Sequence, residues 1–333
     1  MEFSNNSDWN FSDVKNLTNV TFNDESLMAY ETVIASFLTV STVFSWISNL
    51  SIIVVFLKFS CLRTKHDVLV INLAFTNLTI TTGIAFYSTY TLNPGNIFHM
   101  KFVCMSLFML IFGGILTSLL VLFCLALERY LCIVHPLIYS RIRNRHVVMS
   151  SILAYIIGII YIVLPFNFKN KWERYHLCVV DVFPFEFSIA EQVIGVIIIS
   201  AIIVINSVVF KTALSQAARI KTLLKNIQHK HTKKRKRQKG KAFVTVFLLS
   251  GISAICWIPL LVVFGLESDP DLNEAYRWIL TQLLYVPVSL NSSVTAVIIG
   301  YRNRHFRDAI KSFFCKRQHE CSGVNRINVT IYV

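Results

Sequence analysis

An apolar run begins near Cys104 and does not end until Val134, which is longer than a soluble core helix needs and long enough to cross a bilayer with tilt. Its last stretch, LALERYLCIVHPLIY over 125–139, changes character abruptly. Glu128 and Arg129 stand side by side where the run closes, followed by Tyr130, a short apolar turn (Leu131 to Val134) and the breaker His135-Pro136. An ionisable pair on a membrane-length helix is costly to bury, so it marks either a snorkelling anchor at the interface or a working site.

The rest of the chain is built to the same plan. It is 54% hydrophobic and only 15% charged, whereas soluble domains are nearer a quarter charged, so the composition is that of a membrane protein. The net charge of +14 does not point to nucleic acid, because the basic residues fall between apolar runs rather than on one soluble face. Eight scattered cysteines without CxxC spacing argue against a zinc site and against a disulfide-dense scaffold.

Taken in order, residues 1–28 form a polar tail with N-x-S/T sequons at Asn5, Asn10, Asn16 and Asn19, the signature of a glycosylated extracellular segment. Met1 to Ser26 contains no cleavable signal pattern, so the first apolar run is expected to serve as signal anchor. Further apolar runs are expected over 28–57, 67–92, 147–166, 189–210 (helical on to 221), 241–266 and 276–299. With the run at 101–134 they make seven. Lys58–Lys65, Arg141–Arg145, Arg219–Lys241 and Arg302–Arg317 all fall on one side of such a chain, which the positive-inside rule makes cytoplasmic. The KKRKR stretch at 233–237 therefore reads as a loop near anionic lipid rather than as a nuclear signal.

Glu128-Arg129-Tyr130, the apolar gap and His-Pro-Leu together resemble the cytoplasmic end of the third helix of rhodopsin-like G protein-coupled receptors. The resemblance extends over about 28–317. It includes Asn49 in the first run, Cys104 with Cys178, Cys256-Trp257-Ile258-Pro259 in the sixth, and Asn291-Ser292 in the seventh. It implies an all-α bundle of seven transmembrane helices (29–317, closing on a short amphipathic eighth helix), a glycosylated tail at 1–28 and a cytoplasmic tail at 318–333. It further implies a Cys104–Cys178 disulfide, coupling to a heterotrimeric G protein through Glu128, Arg129 and Tyr130, and an activation switch of Trp257, Pro259, Asn77, Asn291 and Ser292. Ile111, Ile115 and Phe264 stand at expected ligand-pocket positions; where amine-binding relatives carry an aspartate this chain has Ile111, which favours a neutral or lipophilic small molecule or peptide. Cys315, beside Phe313 and Phe314, suits palmitoylation at the membrane surface.

The chain also departs from the family pattern. Asn77 replaces the second-helix aspartate, Tyr155 the fourth-helix tryptophan and Ile198 the fifth-helix proline; Thr295, Ala296 and Ile299 replace the residues of NPxxY. With Lys239 in place of an acid at the base of the sixth run, Arg129 is expected to pair only with Glu128, and basal signalling to be raised.

Two other classes fit less well. A polytopic transporter is expected to show inverted repeats and paired broken spans, and the chain shows no internal repeat. An enzyme needs a nucleophile–base pair or a metal set, and neither HExxH nor GxSxG occurs. Within the receptor fold, an odorant-type receptor shares the flavour of the ERY and IIGYR segments, though Cys256-Trp257-Ile258-Pro259 suits it poorly. Neither a cofactor nor a metal is implied. The plasma membrane, with the amino terminus outside, is the expected location, and the terminal Thr330-Ile331-Tyr332-Val333 matches a PDZ-domain ligand.

Overall fold

The computed structural model describes residues 24–59, 64–92, 100–169, 185–224, 251–253, 255–259 and 274–302. The described residues are helical, without strands: α1 (Asp24–Lys58), α2 (Lys65–Leu92), α3 (Lys101–Val134), the short α4 (Pro136–Arg141), α5 (Asn144–Lys169), α6 (Phe185–Leu224) and α7 (Glu274–Arg302). Residues 251–253 and 255–259 are helical turns of the sixth apolar run, most of which lies outside the described residues. Among the described residues, six helices are long and apolar enough to cross a membrane.

The helix ends have local causes. At the start of α2, Thr64 Oγ1 donates to Asp67 Oδ2 at 2.5 Å and accepts the Asp67 backbone N–H at 3.3 Å. The Thr64 N–H also donates to Asp67 Oδ2. This is a capping box, and it starts the helix two residues earlier than apolarity alone suggests. α3 ends at His135, and Pro136 at the first position of α4 suits a helix start, where its missing N–H would be unpaired anyway.

α3 is the central column, packed against α2, α5 and α6, while α1 packs against α2 and α7. In its most apolar window 72% of residues are buried, against 28% in α5 and α6, so those two helices turn most of their surface outward. Their exposed side chains are Ile152, Leu153, Ile156 and Ile160 on α5 and Val193, Val196, Ile197 and Val204 on α6, a surface suited to lipid.

Close approach at α3 depends on glycine. A Cβ on Gly158 of α5 would run into Thr117 Oγ1 and lie 2.9 Å from the Gly113 carbonyl; one on Gly114 would meet Ile80 of α2 at 2.8 Å. Small residues let helices touch where apolar burial supplies no driving force, because lipid is as apolar as leucine. The same stretch of α3 contains a π-helical turn, Met109–Gly113. Such turns add a residue to the helix and re-aim the side chains that follow.

Two apolar clusters fill the bundle. One, toward the Cys104 end, gathers Tyr87, Phe108, Ile111, Ile115, Phe187 and Trp257; the other, toward the Arg129 end, gathers Ile52, Leu69, Leu73, Val121, Leu125 and Ile299.

Candidate functional site

At the Arg129 end, Glu128 is buried, at 8% exposure, although it lies near the close of α3. Three elements supply its partners. Tyr139 of α4 donates its hydroxyl to Glu128 Oε1 at 2.7 Å, while Oε2 faces Arg129 Nε at 3.4 Å and His66 Nδ1 of α2 at 3.5 Å. Lys65 holds Tyr139 in turn: its Nζ donates to the Tyr139 carbonyl at 2.9 Å and lies 4.1 Å from the ring centroid, within cation–π range. Burial, reinforced by the adjacent carboxylate, pushes the Tyr139 phenol above the ordinary tyrosine range, so it remains a donor at neutral pH. Tyr130 turns away, its hydroxyl 3.3 Å from His135 Nε2. The amide of Gln216, on the extended end of α6, donates to the Ile133 carbonyl at 3.3 Å, tying α6 to the last turn of α3.

The local Glu128–Arg129 pair expected from sequence is present; Lys239 lies outside the described residues. Sequence reasoning missed His66, Lys65 and Tyr139. Tyr139 stands in the 125–139 stretch, three residues beyond Pro136, and its aromatic ring there was the available signal.

Midway along the bundle is a buried polar belt. Asn77 Nδ2 donates to Asn49 Oδ1 at 3.3 Å and to the Ser292 carbonyl at 3.5 Å. Asn49 Nδ2 reaches the same carbonyl at 3.3 Å and the Ser45 carbonyl at 2.9 Å. α1, α2 and α7 are thus joined at one backbone oxygen, which explains why a neutral amide suits position 77. Ser292 contributes that carbonyl, while its hydroxyl bonds back to Val288. Asn291 accepts from Thr295 at 3.4 Å, and Ser118 is buried with no hydrogen-bond partner among the described residues. A second seam, also unanticipated, joins α1 to α7 through Ser289 Oγ to Ser41 Oγ at 2.7 Å and Ser293 Oγ to the Ser41 carbonyl at 3.2 Å. Tyr155 donates to the Asn72 carbonyl at 3.2 Å, linking α5 to α2.

Toward the Cys104 end, Ile111, Ile115 and Trp257 are enclosed in one apolar cluster, Trp257 at 1% exposure, while Pro259 two residues on is exposed. Cys104 is buried and disulfide-bonded. Cys178, Phe264, Cys315, the four sequons and the terminal tail lie outside the described residues.

A family model for the seven-transmembrane receptors of the rhodopsin family matches residues 48–316. The chain belongs to that family. The family is one of receptors, and the helical bundle is that family's architecture in this chain. Among its relatives, the histamine H2 receptor of Cavia porcellus is 28% identical over 212 residues, 60% of this chain and 56% of that receptor. The chain thus spans little more than half the length of that relative. The somatostatin receptor type 5 of Bos taurus is 22% identical over 302 residues, covering 85% of the chain and 76% of the relative. The melatonin receptor type 1B-B of Danio rerio is 27% identical over 291 residues, covering 83% and 79%.

Proposed function

We propose that this receptor carries an extracellular ligand signal across the plasma membrane to a heterotrimeric G protein. The observation that bears most weight is the Arg129 corner. A cation on the central helix is paired with its neighbouring acid, and that acid is held from two other elements, His66 on α2 and Tyr139 on α4. Such a corner has two arrangements available, Arg129 folded back on Glu128 or released from it, and a bistable element is what signal transfer requires. The histamine, somatostatin and melatonin receptors among the relatives are named for different ligands, so they single out none for this chain.

In this reading the amino terminus is outside, glycosylated at Asn5, Asn10, Asn16 and Asn19, Cys178 is the disulfide partner of Cys104, and Cys315 takes a palmitoyl group. Anionic lipid meets the basic loop, and Val333 enters a PDZ groove.

Guanine-nucleotide exchange in membranes from cells expressing the chain, against mock membranes and with each G protein class supplied in turn, tests the proposal. Exchange above mock with at least one class is expected, and Arg129→Ala should abolish it while surface expression is retained. Exchange in Arg129→Ala membranes equal to wild type would overturn the assignment of that residue, and none in wild type with any class would overturn the function.

A further inference from the structure

Three carboxylates lie inside the described candidate spans: Asp67, Glu128 and Glu191. The first is bonded to Thr64; the second accepts a hydrogen bond from Tyr139 at Oε1 and faces His66 and Arg129 as ion-pair partners at Oε2. Glu191 differs. Among the described residues its buried Oε1 has no hydrogen-bond partner and no cation pairs with it.

Its place in the fold is inward. Phe187, Gly195, Ile199, Ile202, Asn206 and Val209 are the buried positions of α6, and Glu191 continues that three-to-four spacing one turn beyond Phe187. Phe187 and Ile199, on either side of it, belong to the apolar cluster that contains Ile111 and Trp257. Tyr161 of α5 is close enough to interact electrostatically with the carboxylate, but its hydroxyl is already directed to the Phe187 carbonyl at 3.3 Å. Two further buried donors at this end of the bundle, Trp257 Nε1 and Gln192 Nε2, also have no partner among the described residues. α3 from Lys101 to Leu127 contains no acid, so no carboxylate on the central helix duplicates the one on α6.

The side chain as a whole is half-buried, but a carboxylate oxygen enclosed without a partner beside aromatic and aliphatic side chains is costly, and an ionisable group that persists inside a membrane span is by default a functional one. We infer that Glu191 is the anchor for a small organic cation, a protonated nitrogen with at least one N–H to donate, whose apolar body lies against Phe187, Tyr161 and Trp257. The inference rests on the reading of the chain as a ligand-operated receptor and names the class of its ligand. It reverses the preference for a neutral molecule drawn from Ile111 and Ile115, because the charge is supplied from a different helix.

The test uses the full chain purified into lipid nanodiscs and a panel of protonated arylalkylamines, each paired with its N-acetyl counterpart. The readout is the shift in melting temperature, which requires no G protein. At least one amine is expected to raise the melting temperature by several degrees, its acetylated partner to have no effect, and Glu191→Gln to weaken the amine tenfold or more. Glutamine preserves the shape, and without amine this variant should melt no lower than wild type, which separates lost recognition from lost folding. The inference is overturned if no amine in the panel shifts the wild type, if acetylated and free amines act alike, or if Glu191→Gln binds the amine as wild type does; the last would mean that Glu191 merely packs. Glu191-dependent binding without nucleotide exchange would uphold this site and tell against the G protein reading instead.

Discussion

Tyr139 and Glu128 are joined by a 2.7 Å hydrogen bond between two different helices, the phenol on α4 and the carboxylate near the end of α3. The bond holds the carboxylate that pairs with Arg129, and any motion that frees Arg129 must rearrange this corner. A hydrogen bond to a charged group contributes about 1.5–3 kcal/mol. Tyr139→Phe is therefore expected to weaken the resting arrangement and raise basal nucleotide exchange several-fold per receptor at the surface. Unchanged basal exchange would mean that Glu128 is held sufficiently by His66 and Arg129. The pH sign follows from the upward displacement of the phenol. The bond's contribution is complete below the unfolded tyrosine value near 10 and is lost only as pH rises through the higher folded value, so basal exchange should not respond to this group between about pH 6 and 9.

Cys104 is disulfide-bonded at the start of α3, and Cys178 is its expected partner. Peptide mapping without reductant should recover a cross-linked pair containing both residues. Cys178→Ser should lower thermal stability as much as Cys104→Ser, with the double variant no worse than either. A bridge of this kind contributes about 2–4 kcal/mol. Recovery of Cys178 in an alkylated, uncrosslinked peptide would end the assignment.

The spans are legible because lipid demands long uninterrupted apolar helices, and the third run has the same bounds in sequence and structure, Lys101 to Val134. Where a boundary differs, a side chain outside the apolar pattern decides it, as Thr64 and Asp67 do for α2. Asn49 and Asn77 are legible as polar residues needing partners, but the Ser292 backbone carbonyl that receives both leaves no mark in a sequence. Nor do Tyr139 and His66 announce themselves, since they meet Glu128 only once α2 and α4 have packed beside α3. Glu191 is visible as a charge in an apolar run; that its buried Oε1 meets no partner among the described residues is a property of the packed bundle.

Gly158 offers a packing test independent of signalling. A Cβ there has no room between Thr117 and the Gly113 carbonyl, whereas one on Gly251 meets none of the described residues within 4 Å. Gly158→Ala should force α5 away from α3 and cost about 1–3 kcal/mol, seen as a lower melting temperature and reduced surface expression. Gly251→Ala, relieved of glycine's backbone entropy, should be neutral or stabilising by about 0.5–1 kcal/mol. Equal stability of the two variants would show that the α3–α5 contact relaxes freely.

Asn77 decides how the middle of the bundle responds to sodium. Its amide donates to Asn49 and to the Ser292 carbonyl, and Ser118, Asn291, Ser292 and Thr295, all buried, carry no charge. A hard cation buried there would lose its water at a cost of several kcal/mol, and neutral oxygens can coordinate it without supplying the compensating charge. The Asn77 N–H groups, directed at the two acceptors a cation would otherwise use, oppose it further. Replacing sodium chloride with an equal concentration of a bulky-cation chloride should therefore leave agonist affinity unchanged in the wild type. Asn77→Asp supplies a carboxylate and removes the two donors, so sodium should then lower agonist affinity in a concentration-dependent way. Sodium-dependent loss of agonist affinity in the wild type would show that the pocket draws its charge from elsewhere, and the neutral-belt account would fail.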